Sequence, residues 1–182
     1  MKILKTPLKD CFIIEPSVFR DSRGYFLESF NQQKFQEETS LSFNFVQDNQ
    51  SVSQKGTLRG LHLQTGEAAQ AKLVRVVLGE IEDVVVDLRP ESSTYLQHFS
   101  CALNSETHHQ LFVPKGFAHG FVCLSDDVIF SYKCDNYYDK AAEAGIIFND
   151  PQLNIDWKLP QEQLIISEKD QGLPTLKQYL NV

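Results

Sequence analysis

Residues 72–89, Lys-Leu-Val-Arg-Val-Val-Leu-Gly-Glu-Ile-Glu-Asp-Val-Val-Val-Asp-Leu-Arg, form the stretch that decides the fold class. Two runs rich in valine flank Gly79-Glu80, and β-branched residues favour strands over helices. Pro90 then stops the second run, because proline cannot donate a hydrogen bond to a sheet. The pattern predicts a β-hairpin that turns at Gly79-Glu80.

Short strand-like runs continue on the C-terminal side of this stretch. They cover residues 94–103, 109–113, 117–124 and 127–134, with turn residues between them. Strands that recur every ~8 to 12 residues are typical of a β-sandwich or β-barrel. We therefore expect a mainly β domain.

The N-terminal side and the tail add peripheral elements. Residues 11–30 contain a β-type run, an Asp-Ser-Arg-Gly turn and an aromatic run, which together predict a hairpin. Residues 31–38 begin with a capping Asn and predict a short helix. Residues 137–143 and the region after Trp157 predict short helices and loops that cap the barrel.

Composition limits the classes of protein to consider. The chain has 182 residues, 42% of them hydrophobic, so we expect a single domain over residues 1–182. It has no apolar run of about 18 residues that could form a transmembrane helix. The charged N-terminal residues do not resemble a secretory signal, and we expect a cytoplasmic location.

Charge and cysteine content narrow the candidate ligands. The net charge of -7 opposes non-specific nucleic-acid binding, so an anionic ligand would need a local cationic pocket. The four cysteines form no Cys-x-x-Cys pair and predict neither a zinc site nor a disulfide framework.

Residues 58–72, Leu-Arg-Gly-Leu-His-Leu-Gln-Thr-Gly-Glu-Ala-Ala-Gln-Ala-Lys, suggest an active-site strand. They bring together an arginine suited to phosphate, a histidine that titrates near neutrality and a lysine that can neutralise an enolate: Arg59, His62 and Lys72. The alternative is that these are ordinary solvated or hydrogen-bonded residues, which is the commoner case for any one of them.

Two motifs resemble those of the cupin superfamily, which are small double-stranded β-helix barrels. Pro114-Lys-Gly-Phe-Ala-His119 matches the second cupin motif, and Gly56 with His62 matches the start of the first. Where a second histidine ligand should follow stands Gln64, and the expected glutamate falls on Ala68 or Ala69. Only two of four ligands remain, which predicts a site without a metal.

With these motifs in hand, the sequence resembles the dTDP-4-dehydrorhamnose 3,5-epimerase family over nearly its whole length. The matching segments are 19–28, 47–53, 58–64, 72–76, 83–89, 113–121 and 132–134. The resemblance implies a mainly β, cupin-like double-stranded β-helix (jelly-roll) barrel with short peripheral helices. It also implies an epimerase without a cofactor that inverts C3 and C5 of a dTDP-linked 4-keto-6-deoxy sugar.

The resemblance also implies roles for individual residues. His62 would be the general base, Asp170 its carboxylate partner, Lys72 the stabiliser of the O4 oxyanion and Tyr132 the general acid. The implied substrate-binding residues are Arg23, Glu28, Gln47, Asp48, Asn49, Arg59, Lys72, His119, Tyr138, Glu143 and Lys169. The family is dimeric with exchanged N-terminal strands, so a homodimer is expected in which residues 23–28 serve a neighbouring subunit's site.

Each role has an ordinary structural alternative. His119 could be a buried structural histidine, Tyr132 a core aromatic and Asp170 a helix-capping acid near Ser167. The joint occurrence of these residues with His62 and Lys72 favours the catalytic interpretation. By contrast, we interpret the visible pair His108-His109 as an exposed turn and not as a site.

The sequence departs from the family pattern in two places close to the site. Leu63 replaces a usual aromatic residue, and Ala68-Ala69 replaces a usual proline. Neither change removes a reactive group. Two other functions stay open: an epimerase acting at a single centre of a related nucleotide-linked 4-keto sugar, and a non-enzymatic sugar-binding cupin.

Overall fold

Antiparallel strands dominate the computed structural model, which describes residues 1–181. The strands are β1 (Lys2–Lys5), β2 (Phe12–Glu15), β3 (Val18–Asp21), β4 (Gly24–Leu27), β5 (Gln47–Gln54), β6 (Thr57–Gln64), β7 (Lys72–Leu78), β8 (Glu80–Asp87), β9 (His98–Asn104), β10 (Gln110–Val113), β11 (Phe117–Cys123), β12 (Asp127–Cys134), β13 (Glu143–Gly145) and β14 (Ile165–Ile166). The helices are α1 (Gln32–Thr39), α2 (Glu168–Gln171) and α3 (Leu176–Tyr179), with 3₁₀ turns at Gly66–Ala68, Lys140–Ala142 and Gln161–Gln163.

Two sheets face each other and form the cupin-like jelly-roll barrel. The first sheet has the order β1-β2-β10-β7-β12-β5, and the second has the order β13-β6-β11-β8-β9. Strand β14 runs parallel to β6 at its outer edge. Among the strands of residues 1–181, β3 and β4 pair only with each other and form a separate hairpin. The predicted mainly β barrel with short peripheral helices is confirmed.

The predicted hairpin within residues 72–89 is wrong. Strand β7 lies between β10 and β12 in the first sheet, whereas β8 lies between β11 and β9 in the second. Gly79, with φ of 84°, is the corner at which the chain crosses between sheets. A side chain there would collide with the carbonyl oxygen of Asp127. A barrel corner and a hairpin turn share the same local pattern, so periodicity alone does not separate them.

Strand β8 is buried on both faces, which explains its three consecutive valines. Val85 belongs to the core between the two sheets. Val84 and Val86 point the other way and pack in the cluster that contains Trp157 and Leu176. All three valines are fully buried, and a strand covered on both faces needs a continuous apolar run.

The N-terminal predictions are mostly confirmed. Helix α1 begins after Asn31, whose side chain accepts a hydrogen bond from the backbone N–H of Lys34, and it buries Phe35. The β3–β4 hairpin turns at the Asp-Ser-Arg-Gly sequence, but the run at its start is β2, which pairs with β1 and β10. The strand expected from residue 94 begins only at His98.

His108 corrects the prediction of an exposed turn at His108-His109. Its side chain is buried, and its ring lies 4.5 Å from the ring of Tyr25, centroid to centroid. The β3–β4 hairpin covers it, which is a contact between distant segments that a local turn pattern does not contain. Cys11, Cys123 and Cys134 are buried free thiols. Within residues 1–181, none of the helices is long and apolar enough to cross a membrane.

Candidate active site

The candidate active site is a cavity of about 410 Å³ enclosed by both sheets and α2. Its lining includes the four predicted catalytic residues, His62, Lys72, Tyr132 and Asp170. A second cavity of about 290 Å³ shares Asn49, His62, Lys72 and Tyr132 with the first, and we call the two the inner and outer lobes of the site. Tyr138 and Glu143 also line the outer lobe.

His62 and Asp170 form a hydrogen-bonded pair in the inner lobe. His62 Nε2 lies 2.8 Å from Asp170 Oδ1, and Asp170 Oδ2 accepts a bond of 3.1 Å from the backbone N–H of Gly60. Burial opposes ionisation of Asp170, but the bonds from His62 and Gly60 prevail and lower its pKa. An ionised carboxylate only accepts hydrogen bonds, so Nε2 of His62 carries a hydrogen, and in the neutral ring Nδ1 is the nitrogen with the free lone pair.

The alternative interpretation of Asp170 as a helix-capping acid is wrong, because Ser167 supplies the cap and the Asp170 carboxylate bonds elsewhere. Ser167 is the N-cap of α2, and its hydroxyl accepts a hydrogen bond from the backbone N–H of Asp170. The Asp170 side chain, which is 4% exposed, meanwhile reaches His62. The short helix α2 therefore places this carboxylate against β6.

Lys72 and Tyr132 enter the cavity from the first sheet. The Lys72 ammonium lies 5.9 Å from the centroid of the Tyr132 ring. Burial lowers the pKa of Lys72, and within residues 1–181 it has no carboxylate oxygen within 4.0 Å. Burial likewise raises the pKa of Tyr132, so its phenol stays protonated at neutral pH. Within residues 1–181 the site therefore offers a lysine without a carboxylate partner and a protonated phenol.

A second histidine and carboxylate pair lies directly across the strands. His119 on β11 is the register partner of His62 on β6. Its Nε2 lies 3.0 Å from both carboxylate oxygens of Asp83, which is fully buried. Sequence reasoning missed Asp83, although an acid within a valine-rich run was a signal that it needs a buried partner.

The residues at the positions of the cupin metal motif have other hydrogen-bond partners in this fold. His62 and His119 each bind a carboxylate, and the side-chain oxygen of Gln64 accepts a hydrogen bond of 2.8 Å from the backbone N–H of Asp139. In the part of the chain that the structure describes, no three His, Cys, Asp or Glu side chains converge as a metal-binding group. The donor set fits acid-base chemistry better than metal ligation.

Most of the predicted substrate-binding residues border one of the two lobes. They are Gln47, Asn49, Arg59, Lys72, His119, Tyr138, Glu143 and Lys169. Glu143 accepts hydrogen bonds from Lys169 Nζ at 2.5 Å and from Tyr138 Oη at 3.1 Å. These bonds lower the pKa of Glu143 although its burial opposes this.

Three predicted binding residues lie away from both lobes of this chain. Arg23 is at the exposed turn of the β3–β4 hairpin. Glu28 pairs with Lys34 at 2.8 Å. Asp48 points away from the cavity, because side chains alternate along β5, and pairs with Lys133 at 2.6 Å.

Comparison with known proteins gives a consistent family. The model of the dTDP-4-dehydrorhamnose 3,5-epimerase family matches residues 5–178. The chain is 48% identical to the dTDP-4-dehydrorhamnose 3,5-epimerase of Salmonella typhimurium, over 99% of this chain and 98% of that protein.

Solved structures agree with this result. The crystal structure of dTDP-4-dehydrorhamnose 3,5-epimerase from Elizabethkingia anophelis is 56% identical with a TM-score of 0.94, covering 98% of this chain and 97% of that one. The epimerase of Legionella pneumophila, solved with dTDP-4-keto-L-rhamnose, is 45% identical with a TM-score of 0.93, covering 97% and 93%.

A related structure has a narrower activity. A 3'-monoepimerase from Streptomyces bikiniensis, solved with dTDP-quinovose, is 29% identical with a TM-score of 0.89, covering 98% of this chain and 90% of that one. The fold is therefore shared by enzymes that act at one centre and at two. The full-length family match and the identities of 45% and above decide the assignment: the chain belongs to the dTDP-4-dehydrorhamnose 3,5-epimerase family of isomerases.

Proposed function

We propose that this isomerase inverts C3 and C5 of dTDP-4-dehydro-6-deoxy-D-glucose to give dTDP-4-dehydro-L-rhamnose, in the biosynthesis of dTDP-L-rhamnose. One observation carries the assignment of roles. His62 stands on the second sheet with Asp170 of α2 behind it, and Tyr132 stands on the first sheet, so a base and an acid border one cavity from facing walls. Inversion at carbon requires this arrangement, because the proton must leave one face of the sugar and return to the other.

The proposed steps use the ketone that the substrate already carries. His62 Nδ1 takes the proton from C3 or C5, and the electrons of the C–H bond move into the C4 carbonyl to form an enolate. The Lys72 ammonium stabilises the negative charge on O4. Tyr132 then delivers its proton to the opposite face of the carbon, and the C4 carbonyl forms again.

The same groups serve both centres, since C3 and C5 flank a single ketone. Between the two inversions, His62 loses its proton to solvent and Tyr132 regains one. No electrons are gained or lost overall, so the proposed reaction needs no redox cofactor, and in these steps the Lys72 ammonium stabilises O4 in place of a metal. Full activity after treatment with a chelator would be the expected result.

The anionic part of the substrate needs cations that are not neutralised within the protein. Arg59 donates its Nε and Nη2 hydrogens to the hydroxyl of Ser53 at 3.3 Å and, within residues 1–181, has no carboxylate oxygen within 4.0 Å. We propose that its remaining N–H groups bind the diphosphate. Lys169 would also bind the diphosphate, once its ammonium leaves the ion pair with Glu143 and pairs with a phosphate oxygen.

We also propose a homodimer with exchanged N-terminal strands. The β3–β4 hairpin exposes Phe19 and Phe26, with 64% and 68% of their surface accessible, and such a patch favours a protein partner. The hairpin turn carries Arg23, and Glu28 follows β4, both away from the lobes of their own chain. A partner subunit that receives this hairpin would gain these two side chains for its own site.

The second candidate function is a single-centre epimerase, which the resemblance to the 3'-monoepimerase favours. Proton NMR of dTDP-4-keto-6-deoxy-D-glucose with the protein in D₂O distinguishes the two by following deuterium uptake at C3 and C5. Uptake with inversion at both carbons supports the double epimerase, and uptake at one carbon supports the narrower enzyme. Binding of dTDP without any uptake would point to a sugar-binding cupin and contradict both.

A further inference from the structure

Gln64 occupies the position on β6 where a cupin would carry its second histidine ligand, yet it has a different partner here. The side chain is 6% exposed. Its Oε1 accepts a hydrogen bond of 2.8 Å from the backbone N–H of Asp139. Because a backbone N–H can only donate, this bond also establishes that the oxygen of the Gln64 amide, and not its nitrogen, faces Asp139.

The residue before Asp139 is held in the same way from the opposite sheet. The backbone N–H of Tyr138 donates to Gln47 Oε1 at 3.0 Å. Gln47 belongs to β5 in the first sheet and Gln64 to β6 in the second. Two consecutive backbone amides are therefore anchored by glutamine side chains from both walls of the barrel.

This anchored segment forms part of the rim of the outer lobe. Tyr138 is half exposed, and its hydroxyl donates to Glu143 Oε2 at 3.1 Å. Glu143 is in turn the register partner of Gln64 across β13 and β6. Gln64 thus contacts the rim twice, once through its side chain and once through the strand pairing.

We propose that Gln64 is a positioning residue for nucleotide binding, which holds the Tyr138–Asp139 segment in place so that Tyr138 and Glu143 can contact the nucleotide. The inference rests on the proposed function only in taking that rim as the nucleotide's contact surface. The anchoring itself consists of hydrogen bonds within this chain. Gln64 lines the outer lobe and not the inner lobe that holds the His62–Asp170 pair, so its loss weakens binding and leaves chemistry nearly intact.

The test replaces Gln64 by methionine, which has a similar length but no oxygen to accept the bond. Amide hydrogen exchange at Tyr138 and Asp139, the Kd of dTDP, and the KM and kcat of epimerisation are measured in parallel. We expect faster exchange confined to this segment, a Kd and KM raised about five- to tenfold, as for the loss of one hydrogen bond, and little change in kcat. Gln152→Met, an exposed glutamine outside both lobes, is the matched control.

Two further variants keep the test decisive. Gln64→Glu retains an acceptor oxygen at the same reach and is expected to restore protection of the Asp139 amide. If Gln64→Met does not fold, Gln64→Asn shortens the side chain and withdraws the same oxygen. Unchanged exchange at Asp139, or a kcat that falls as much as KM rises, would overturn the proposal. If the unmodified protein failed to bind dTDP, the proposed function would be lost, whereas the exchange data would still decide the anchoring.

Discussion

His62 Nε2 and Asp170 Oδ1 lie 2.8 Å apart although the two residues are 108 positions apart in the chain. The contact depends on the docking of the short helix α2 against β6. Ser167 caps that helix, and the backbone of Gly60 binds the second oxygen of the same carboxylate. Both oxygens of Asp170 are thereby fixed, and the His62 ring has one orientation.

Asp170→Asn should lower kcat by about 10²-fold or more, a typical contribution of acid-base catalysis. The amide can no longer stabilise the imidazolium that forms when His62 accepts a proton. Binding of dTDP should stay close to that of the unmodified protein, because Asp170 makes none of the proposed contacts with the nucleotide. Steady-state kinetics and calorimetric titration with dTDP check the two parts, and an unchanged kcat would argue against the pair as the base.

Tyr132→Phe should separate proton exchange from inversion. His62 can still remove a proton and return a deuteron to the same face, but no acid remains on the facing wall. In D₂O we expect deuterium uptake with retention of configuration, and a rate of inversion reduced by about 10²-fold or more. Proton NMR reads both quantities in one experiment. Normal inversion in this variant would exclude Tyr132 as the acid.

Lys72→Met should make the protein more stable and less active. The fold disfavours the charged form of Lys72, since burial lowers its pKa below the ordinary value of 10.5. The unfolded chain therefore binds more protons between the folded and unfolded pKa, and stability rises with pH through that window. Removing the charge should raise the free energy of unfolding by about 1 kcal/mol at pH 7.

The same variant should lose about 10² to 10³ in kcat, because the ammonium that stabilises the charge on O4 is removed. Urea unfolding and steady-state kinetics measure the two effects. Lys177→Met, an exposed lysine on α3, is the control and should change neither. A variant that is less stable and fully active would contradict both the burial argument and the catalytic role.

Mixing Arg23→Ala subunits with His62→Ala subunits tests the exchanged dimer. Each variant alone should be nearly inactive. In a heterodimer, the subunit with an intact His62 receives Arg23 from its partner, so one complete site forms. After subunit exchange at equal concentrations, about a quarter of the original activity should return, since half of the dimers are mixed and each has one site. No recovery in a mixture shown to contain heterodimers would place Arg23 in its own chain's site.

Asp87→Ala should destabilise the barrel without reducing activity per folded molecule. Asp87 is fully buried outside the cavity and accepts hydrogen bonds from Arg89, Ser92 and Thr94 at 2.9, 2.5 and 2.7 Å. Burial opposes its ionisation, but these bonds lower its pKa from 3.8 to about 2. We expect a loss of about 3 kcal/mol in the free energy of unfolding at pH 7, as for a broken buried ion pair.

The pH dependence of that loss follows from the direction of the shift. A lowered folded-state pKa stabilises the fold above the unfolded value and loses this effect as pH falls from 3.8 towards about 2. The difference between the two proteins should therefore shrink over this range in urea unfolding experiments. Asp156→Ala removes an exposed ion pair with Lys158 and should have little effect at any pH.

The sequence by itself determined the β-rich class, the helix after Asn31 and the residues for which we propose proton chemistry. Alternation, turn residues and helix caps are local signals, because neighbouring residues already determine whether a strand or helix forms. The order of His62, Lys72, Tyr132 and Asp170 further matched one family. These residues line a single cavity in the structure. The sequence pattern required that they meet, but it did not show where in the fold they do so.

Only the tertiary structure decided which distant segments meet. It made Gly79 a corner between sheets instead of a hairpin turn, buried His108 under Tyr25 and gave His119 its partner Asp83. It also directed Gln64 to the backbone of Asp139 and left Arg23 outside its own chain's cavity. The physical reason is that strand pairing and side-chain partners across a barrel depend on residues far apart in sequence, whereas the local pattern around each of these residues is compatible with several arrangements.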